Sequence, residues 1–82
     1  MQKTVYYLVH KDTGERMRYY KSLAGARIAQ RSRNARLGFL KRIERVEIGD
    51  NWEVEQCELD GVIVEATYCI VEDTIEQNDL LS

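Results

Sequence analysis

The sequence has no proline, and no lysine or arginine follows residue 45. About four prolines would be expected at average usage, and their absence is typical of a compact domain of regular elements without a proline-rich linker. No apolar run approaches the roughly 20 residues that a membrane-crossing helix needs. The N-terminal segment is too short for a signal peptide. The lack of an export segment favours the cytoplasm, and the lack of a long apolar run argues against a membrane-spanning segment.

Residue types that bind metals or carry catalysis are also scarce. His10 is the only histidine, and no cysteine or acid stands at metal-ligand spacing from it. The glycines are scattered and form no phosphate-binding loop. Cys57 and Cys69 lie on opposite arms of a predicted hairpin, too far apart along the ladder for a disulfide. The sequence therefore predicts reduced, buried thiols, no catalytic residue, no cofactor and no metal, and it disfavours an enzyme.

The first part of the chain predicts a β-hairpin followed by a helix. Residues 4–10 are rich in β-branched and aromatic residues, and residues 15–21 alternate Met17 and Tyr19 with Arg16 and Arg18. The two segments flank a turn at residues 11–14, which predicts a hairpin. Ser22 is a typical helix N-cap, and Gly38 is a typical end. We expect the helix to pack its small side chains against a sheet, namely Ala24, Gly25, Ile28, Ser32 and Ala35.

The second part predicts three more strands. Residues 39–48 fit either a helix or a strand that begins near Arg42, and the strand is favoured. Asp60-Gly61 is a strong signal for a two-residue type I′ turn, and the strand after it alternates apolar residues from 62 to 70. A β-bulge near Glu55-Gln56 would bring the incoming strand into register.

Together these elements predict the fold class α+β, in the order ββαβββ, with one helix packed across a face of an antiparallel sheet. Residues 1–72 would form a single domain. Residues 73–82 would form an acidic C-terminal tail or a short helix, because Asp73 and Glu76 stand at capping-box spacing.

Charge divides the chain into two halves. Residues 1–45 hold all twelve bases and three acids, a formal charge of +9, and residues 46–82 hold eleven acids and no base, a charge of −11. The basic half predicts a surface for phosphates or acidic partners, with Tyr19 or Tyr20 available for stacking. Its candidate binding residues are Arg16, Arg18, Arg27, Arg31, Arg33, Arg36, Lys41 and Arg42.

The acidic half predicts a negative surface on the last hairpin. Its members alternate with apolar residues, which is typical of a solvated sheet face; they are Glu53, Glu55, Glu58 and Glu65. A protein that mimics a phosphate backbone is disfavoured, because the net charge is only −2. The competing interpretation is that bases and acids pair inside the molecule, which would cancel the field a partner feels.

Residues 19–29, YYKSLAGARIA, resemble a motif of small tailed-phage proteins. These proteins open with a strand, a turn containing Asp and Gly, a second strand and a helix of this type, and the resemblance covers residues 4–36. Some similar small α+β proteins are anti-CRISPR or other host-takeover factors that occlude a host complex without catalysis. The resemblance implies that context and a host-cell cytoplasmic location.

The leading hypothesis is a small non-enzymatic binding protein that occludes or modulates a host protein or nucleoprotein complex through separate basic and acidic surfaces. The alternative is a nucleic-acid-binding module that places the arginine-rich helix on phosphates. A third hypothesis is a homodimer in which the basic half of one copy meets the acidic half of the other. No membrane partner is expected.

Overall fold

The computed structural model describes residues 1–76 and contains one helix and six strands within them. The elements are β1 (Gln2–His10), β2 (Arg16–Tyr20), α1 (Leu23–Arg36), β3 (Lys41–Ile48), β4 (Trp52–Leu59), β5 (Val62–Glu65) and β6 (Tyr68–Glu76). All strand pairs are antiparallel. The α+β class, with a helix on one face of an antiparallel sheet, is confirmed.

The sheet has the strand order β2-β1-β6-β4-β3, and β5 pairs with β4. β3 occupies one edge of β4, so β5 and β6 follow one another along its other edge. The long pairing of β1 with β6, from Gln2↔Glu76 to His10↔Tyr68, joins the two ends of the described chain. β2 and β3 lie at the two ends of this order, and β5 pairs only with β4 among the described strands.

Local signals placed most element boundaries correctly. The Ser22 hydroxyl accepts a hydrogen bond from the Gly25 amide at 3.1 Å, as an N-cap should. The strand favoured for residues 39–48 is β3. Asp60 and Gly61 both have positive φ, 52° and 81°, as a type I′ turn requires, and Leu59 pairs with Val62 across it.

The predicted strand from 62 to 70 is interrupted, so the order is ββαββββ. β4 pairs Cys57 with Val64 on β5 but Glu53 with Ile70 on β6, which leaves extra residues on the β5–β6 side. The irregularity predicted near Glu55-Gln56 therefore lies on the facing chain. There the Asn34 side chain bonds both the N–H and the C=O of Tyr68, at 2.8 and 3.0 Å, and replaces the missing ladder bonds.

The boundary predicted at residue 73 falls within a strand. Residues 73–76 are the last four residues of β6, because they continue its pairing with β1. The rest of the predicted tail, residues 77–82, lies outside the described residues. The prediction of a short helix from Asp73 is therefore wrong for residues 73–76.

The helix packs a different face from the one predicted. Its buried residues are Ala26, Gln30 and Asn34, whereas Ile28 of the predicted stripe is 73% exposed. Two buried amides face the sheet because β4 presents acceptors there: Gln30 Nε2 donates to the Glu53 carbonyl at 3.2 Å, and Asn34 Nδ2 donates to the Glu55 carboxylate at 2.8 Å. The hydrogen bonds of these two amides, rather than the stripe of small and apolar residues, therefore correspond to the side of the helix that is buried.

The two faces of the sheet differ in an unusual way. On the helix side, one cross-strand row runs from Leu8 through Ile70 to Glu53 and Glu47, so it turns from apolar to acidic. On the opposite side, Val9, Val54, Cys69 and Val71 form a buried apolar cluster. The face without the helix is therefore the more apolar one over β3 and β4.

Candidate functional site: ion pairs beside the helix and an open sheet face

Glu53 is the first of two carboxylates that gather the arginines. Its side chain is 10% exposed, and Arg27 holds it with two hydrogen bonds, from Nε at 2.8 Å and from Nη2 at 2.9 Å. This fork geometry is the strong form of a guanidinium–carboxylate pair. The hydrogen bond with Glu53 raises the pKa of Arg27 above its ordinary value.

Glu55 is the second carboxylate, and it is completely buried. Guanidinium nitrogens of Arg31, Arg42 and Arg45 lie 3.6, 3.8 and 3.9 Å from its oxygens. A buried carboxylate is costly unless it is paired and hydrogen-bonded, and Asn34 supplies the direct hydrogen bond. Burial, then the nearby charge of Arg42, lowers the pKa of Arg45.

We call these groups the arginine–glutamate cluster: Arg27, Arg31, Arg42, Arg45, Glu53 and Glu55. It holds four guanidinium groups and two carboxylates, which leaves two positive charges in excess. Glu55 Oε2 and Arg45 Nε are buried without a hydrogen-bond partner among the described residues. The arginine side chains of the cluster are 24–40% exposed, so part of the cluster reaches the surface.

The prediction of separate basic and acidic surfaces is wrong for most of its members. Glu53 and Glu55 are buried. Glu58 and Glu65 are partly exposed, but each lies 3.5 Å from a lysine, Lys41 and Lys11 respectively. The antiparallel sheet places basic β3 directly beside acidic β4, with Arg45 opposite Glu55 and Lys41 opposite Glu58. The fold therefore brings the two halves of the chain together and neutralises them.

The remaining predicted basic residues lie apart from the cluster. Arg16 forms a 2.8 Å pair with Asp73, and that hydrogen bond lowers the pKa of the Asp73 carboxyl. Arg18 and Arg33 lie over the rings of Tyr20 and Tyr68, at 5.2 and 5.6 Å. Within residues 1–76, three of the predicted arginines form no ion pair: Arg18, Arg33 and Arg36.

His10 and the two cysteines have structural surroundings. The His10 Nδ1 accepts a hydrogen bond from the Thr13 amide at 3.3 Å, and its ring packs edge-on against Tyr68. Cys57 and Cys69 are free and buried, as predicted. Burial raises the pKa of the Cys69 thiol to about 11, so this sulfur stays protonated at neutral pH.

The second surface was not anticipated from the sequence. A row of directly paired residues crosses the sheet on the side away from the helix, in the order Tyr19, Tyr7, Val71, Trp52 and Ile48. Four strand spacings make this row about 19 Å long. Ile48 is 42% exposed and Trp52 is 36% exposed. Tyr7, Tyr19 and Val46 are half-buried beside them.

We call this surface the open face, defined by Tyr7, Tyr19, Val46, Ile48 and Trp52. The helix lies against the other side of the sheet, where Arg27 bonds Glu53 and Asn34 bonds Glu55. The open face is exposed at Ile48 and Trp52, whereas Val71 in the middle of the row is only 4% exposed. The alternation of Trp52 and Val54 with Glu53 and Glu55 predicted which residues share a face. It could not indicate that the helix would cover the acidic side.

No family model matches this chain, and no curated protein or solved structure does. The resemblance of residues 4–36 to small tailed-phage proteins therefore stays a prediction. Within residues 1–76, no helix is both long and apolar enough to cross a membrane. The function is accordingly inferred from the geometry of the two surfaces.

Proposed function

We propose that this chain is a non-enzymatic binding protein that takes a partner protein on the open face. One observation carries the proposal: aromatic and aliphatic side chains form a row across five strands on the side of the sheet away from the helix, and the row is exposed at Trp52 and Ile48. An antiparallel sheet that faces water normally alternates apolar and polar sides, with the polar side outward. Here the side away from the helix presents Trp52 and Ile48 to solvent.

The chemistry of the open face fits a protein partner with an apolar surface. Trp, Tyr and Arg are the residues that contribute most at protein interfaces, and the face combines Trp52, Tyr7 and Tyr19 with Arg16 over the Tyr7 ring at 4.5 Å. Arg16 is paired with Asp73, so Arg16 itself adds no net charge to the face. A phosphate backbone would find few cations here.

The resemblance to tailed-phage proteins supports a biological setting for this binding. On that basis, the chain is phage-encoded, acts in the cytoplasm of the host cell, and occludes or modulates a host protein or nucleoprotein complex. The charged surfaces first expected to guide that contact are largely paired within the molecule. We therefore propose the open face, instead of the charged surfaces, as the binding surface.

A pair of matched substitutions tests the open face. Ile48→Glu places a charge on it, whereas Ile28→Glu makes the same change at an isoleucine that is 73% exposed on the helix. The immobilised wild-type chain and both variants are incubated with bacterial lysate, and retained proteins are quantified by mass spectrometry. Any protein lost only with Ile48→Glu is then purified and its affinity for the three chains is measured.

We expect a purified partner to bind the wild type and Ile28→Glu alike, and Ile48→Glu at least about tenfold more weakly. Thermal unfolding of both variants checks that each is folded. A partner that binds all three chains equally would overturn the proposal. The proposal would also be overturned if the open face is buried in a homodimer. Light scattering would then show a dimer for the wild type and Ile28→Glu, and a monomer for Ile48→Glu.

Nucleic-acid binding is a second candidate function, and it has its own observation. Arg33 and Arg36 lie near the end of α1 without an ion pair among the described residues, and the arginine–glutamate cluster adds two excess positive charges. Arg33→Glu with Arg36→Glu should abolish such binding. This candidate ranks second because Arg27, Arg31 and Arg42 are already directed at carboxylates.

A further inference from the structure

The outer strand β2 has one side without a partner. It pairs only with β1 among the described strands, so the amides and carbonyls on its outer side are available to another chain. Its pairing is irregular, because Tyr7 faces Tyr19 while Val9 faces Arg16. The extra residue lies at Met17–Arg18, and edge bulges of this kind redirect side chains.

A groove runs along this strand. Its volume is about 570 Å³, and it is lined by Tyr7, Met17, Arg18, Tyr19, Tyr20 and Lys21. The lining contains two cations and no acid. Within the described part of the chain, neither Arg18 nor Lys21 forms an ion pair.

β3, at the other end of the strand order, is different in this respect. On β3, Lys41, Arg42 and Arg45 all lie within 4 Å of carboxylates on β4. Their charge is therefore at least partly compensated by these carboxylates. β2 combines a free backbone edge with cations that remain available, and tyrosine rings stand beside them.

We propose that an extended, acidic segment of a partner protein adds to β2 as a further strand. Its backbone would bond the outer edge of β2, its carboxylates would meet Arg18 and Lys21, and its apolar side chains would lie on the tyrosines. This is strand addition, in which main-chain bonds supply affinity and alternate side chains supply specificity. The basic edge also selects against a second copy of β2, because like charges would face each other.

A nucleic acid fits the same groove less well. It has no amide and carbonyl ladder to match the strand edge, and tight binding draws on more phosphate contacts than two cations provide. The groove also shares Tyr7 and Tyr19 with the open face. An acidic strand on β2 would thus be continuous with a protein bound there.

The test uses two labelled peptides of ten residues, one alternating glutamate with valine and the other alternating lysine with valine. Fluorescence anisotropy measures the binding of each at low salt. We expect only the acidic peptide to bind, and Arg18→Glu with Lys21→Glu to weaken it at least about tenfold. Arg33→Glu with Arg36→Glu is the matched control, because it makes the same charge change at two residues away from the groove.

Amide hydrogen exchange provides a readout that charge attraction alone would not move. Outward-facing amides of residues 16–20 should exchange more slowly when the acidic peptide is bound, because they become donors in the added ladder. Unchanged exchange in β2 would overturn the inference. It would also be overturned by no binding of the acidic peptide, by equal binding of the lysine peptide, or by tighter binding of a ten-residue oligothymidylate.

This inference rests on the proposed function, since it describes one segment of the partner, but the two fail separately. If a purified partner depends on Ile48 while the acidic peptide does not bind, the open face stands and the strand addition is wrong. If the acidic peptide binds and slows exchange in β2 while no partner depends on Ile48, the strand addition stands and binding through the open face is wrong.

Discussion

Glu55 gives the arginines around it a structural role. Its carboxylate is fully buried and lies within 4 Å of three arginines, and Asn34 links it to the helix. The pairs with arginine are longer than direct hydrogen bonds, so the carboxylate acts mainly through its charge. Those arginines therefore serve first to compensate the buried carboxylate, and only secondarily to bind a partner.

Replacing that charge should be costly. Glu55→Gln keeps the shape of the side chain but leaves Arg31, Arg42 and Arg45 close together with only Glu53 to compensate them. Removing one partner of a buried ionic group typically costs about 3–5 kcal/mol, and we expect a loss near the lower figure because the guanidinium groups are partly exposed. Urea denaturation measures the free energy of unfolding.

Glu58→Gln is the control for that prediction. It removes the same charge from the same strand, but the side chain is 43% exposed and, within residues 1–76, pairs only with Lys41 at 3.5 Å. An exposed pair contributes at most about 1 kcal/mol. Equal losses in the two variants would show that the burial of Glu55 has no energetic role.

At the scale of elements, the helix has a well-defined start and an unexpected buried side. Ser22 caps its first turn, and the sequence placed that cap correctly. The buried side carries Gln30 and Asn34, whose amides bond backbone groups on β4 and β6. The helix is therefore attached by polar groups as well as by its own buried Ala26, on the side of the sheet that carries the buried Leu8 and Ile70.

Removing the cap should destabilise the protein modestly. Ser22→Ala deletes the acceptor of the Gly25 amide, and the loss of an N-cap costs about 1 kcal/mol. Ser32→Ala makes the same substitution at an exposed helix-interior position, where alanine is the better helix former. We expect a lower urea midpoint for Ser22→Ala and an unchanged or slightly higher one for Ser32→Ala. The reverse order would contradict the role of the cap.

At the scale of the whole molecule, the opposed charges of the two halves largely cancel. The chain carries twelve bases and fourteen acids. The fold pairs most of the bases with acids from the other half of the chain. A charge pattern that is extreme along the sequence thus becomes moderate on the surface. The exposed apolar row of the open face is then the stronger feature.

This cancellation predicts a weak salt dependence for any binding of single-stranded DNA. If Arg33, Arg36 and the two excess charges of the arginine–glutamate cluster are the cations available, the slope of log K against log salt should be about −2.8. Fluorescence titration of labelled oligothymidylate between low and moderate salt measures it. A slope of about −4 or steeper would mean that the arginines leave their glutamates to bind phosphates, and nucleic-acid binding would become the leading function.

By itself, the sequence determined the local structure of this protein. The hairpin around residues 11–14, the helix from Ser22 to Gly38, the strand near Arg42 and the Asp60-Gly61 turn follow from residues close together in the chain. So does the sharing of one face by Trp52 and Val54, because strand alternation has a period of two. The capping and turn signals need no knowledge of the rest of the fold.

Only the tertiary structure decided which faces are covered and which charges are free. Arg27 meets Glu53 across 26 positions of sequence, and Asn34 meets Tyr68 across 34. Such pairings depend on the strand order and on the side of the sheet that the helix occupies, and local composition does not encode either. The arginines were visible in the sequence, but their partners were settled by folding, because opposite charges from distant segments are brought together there.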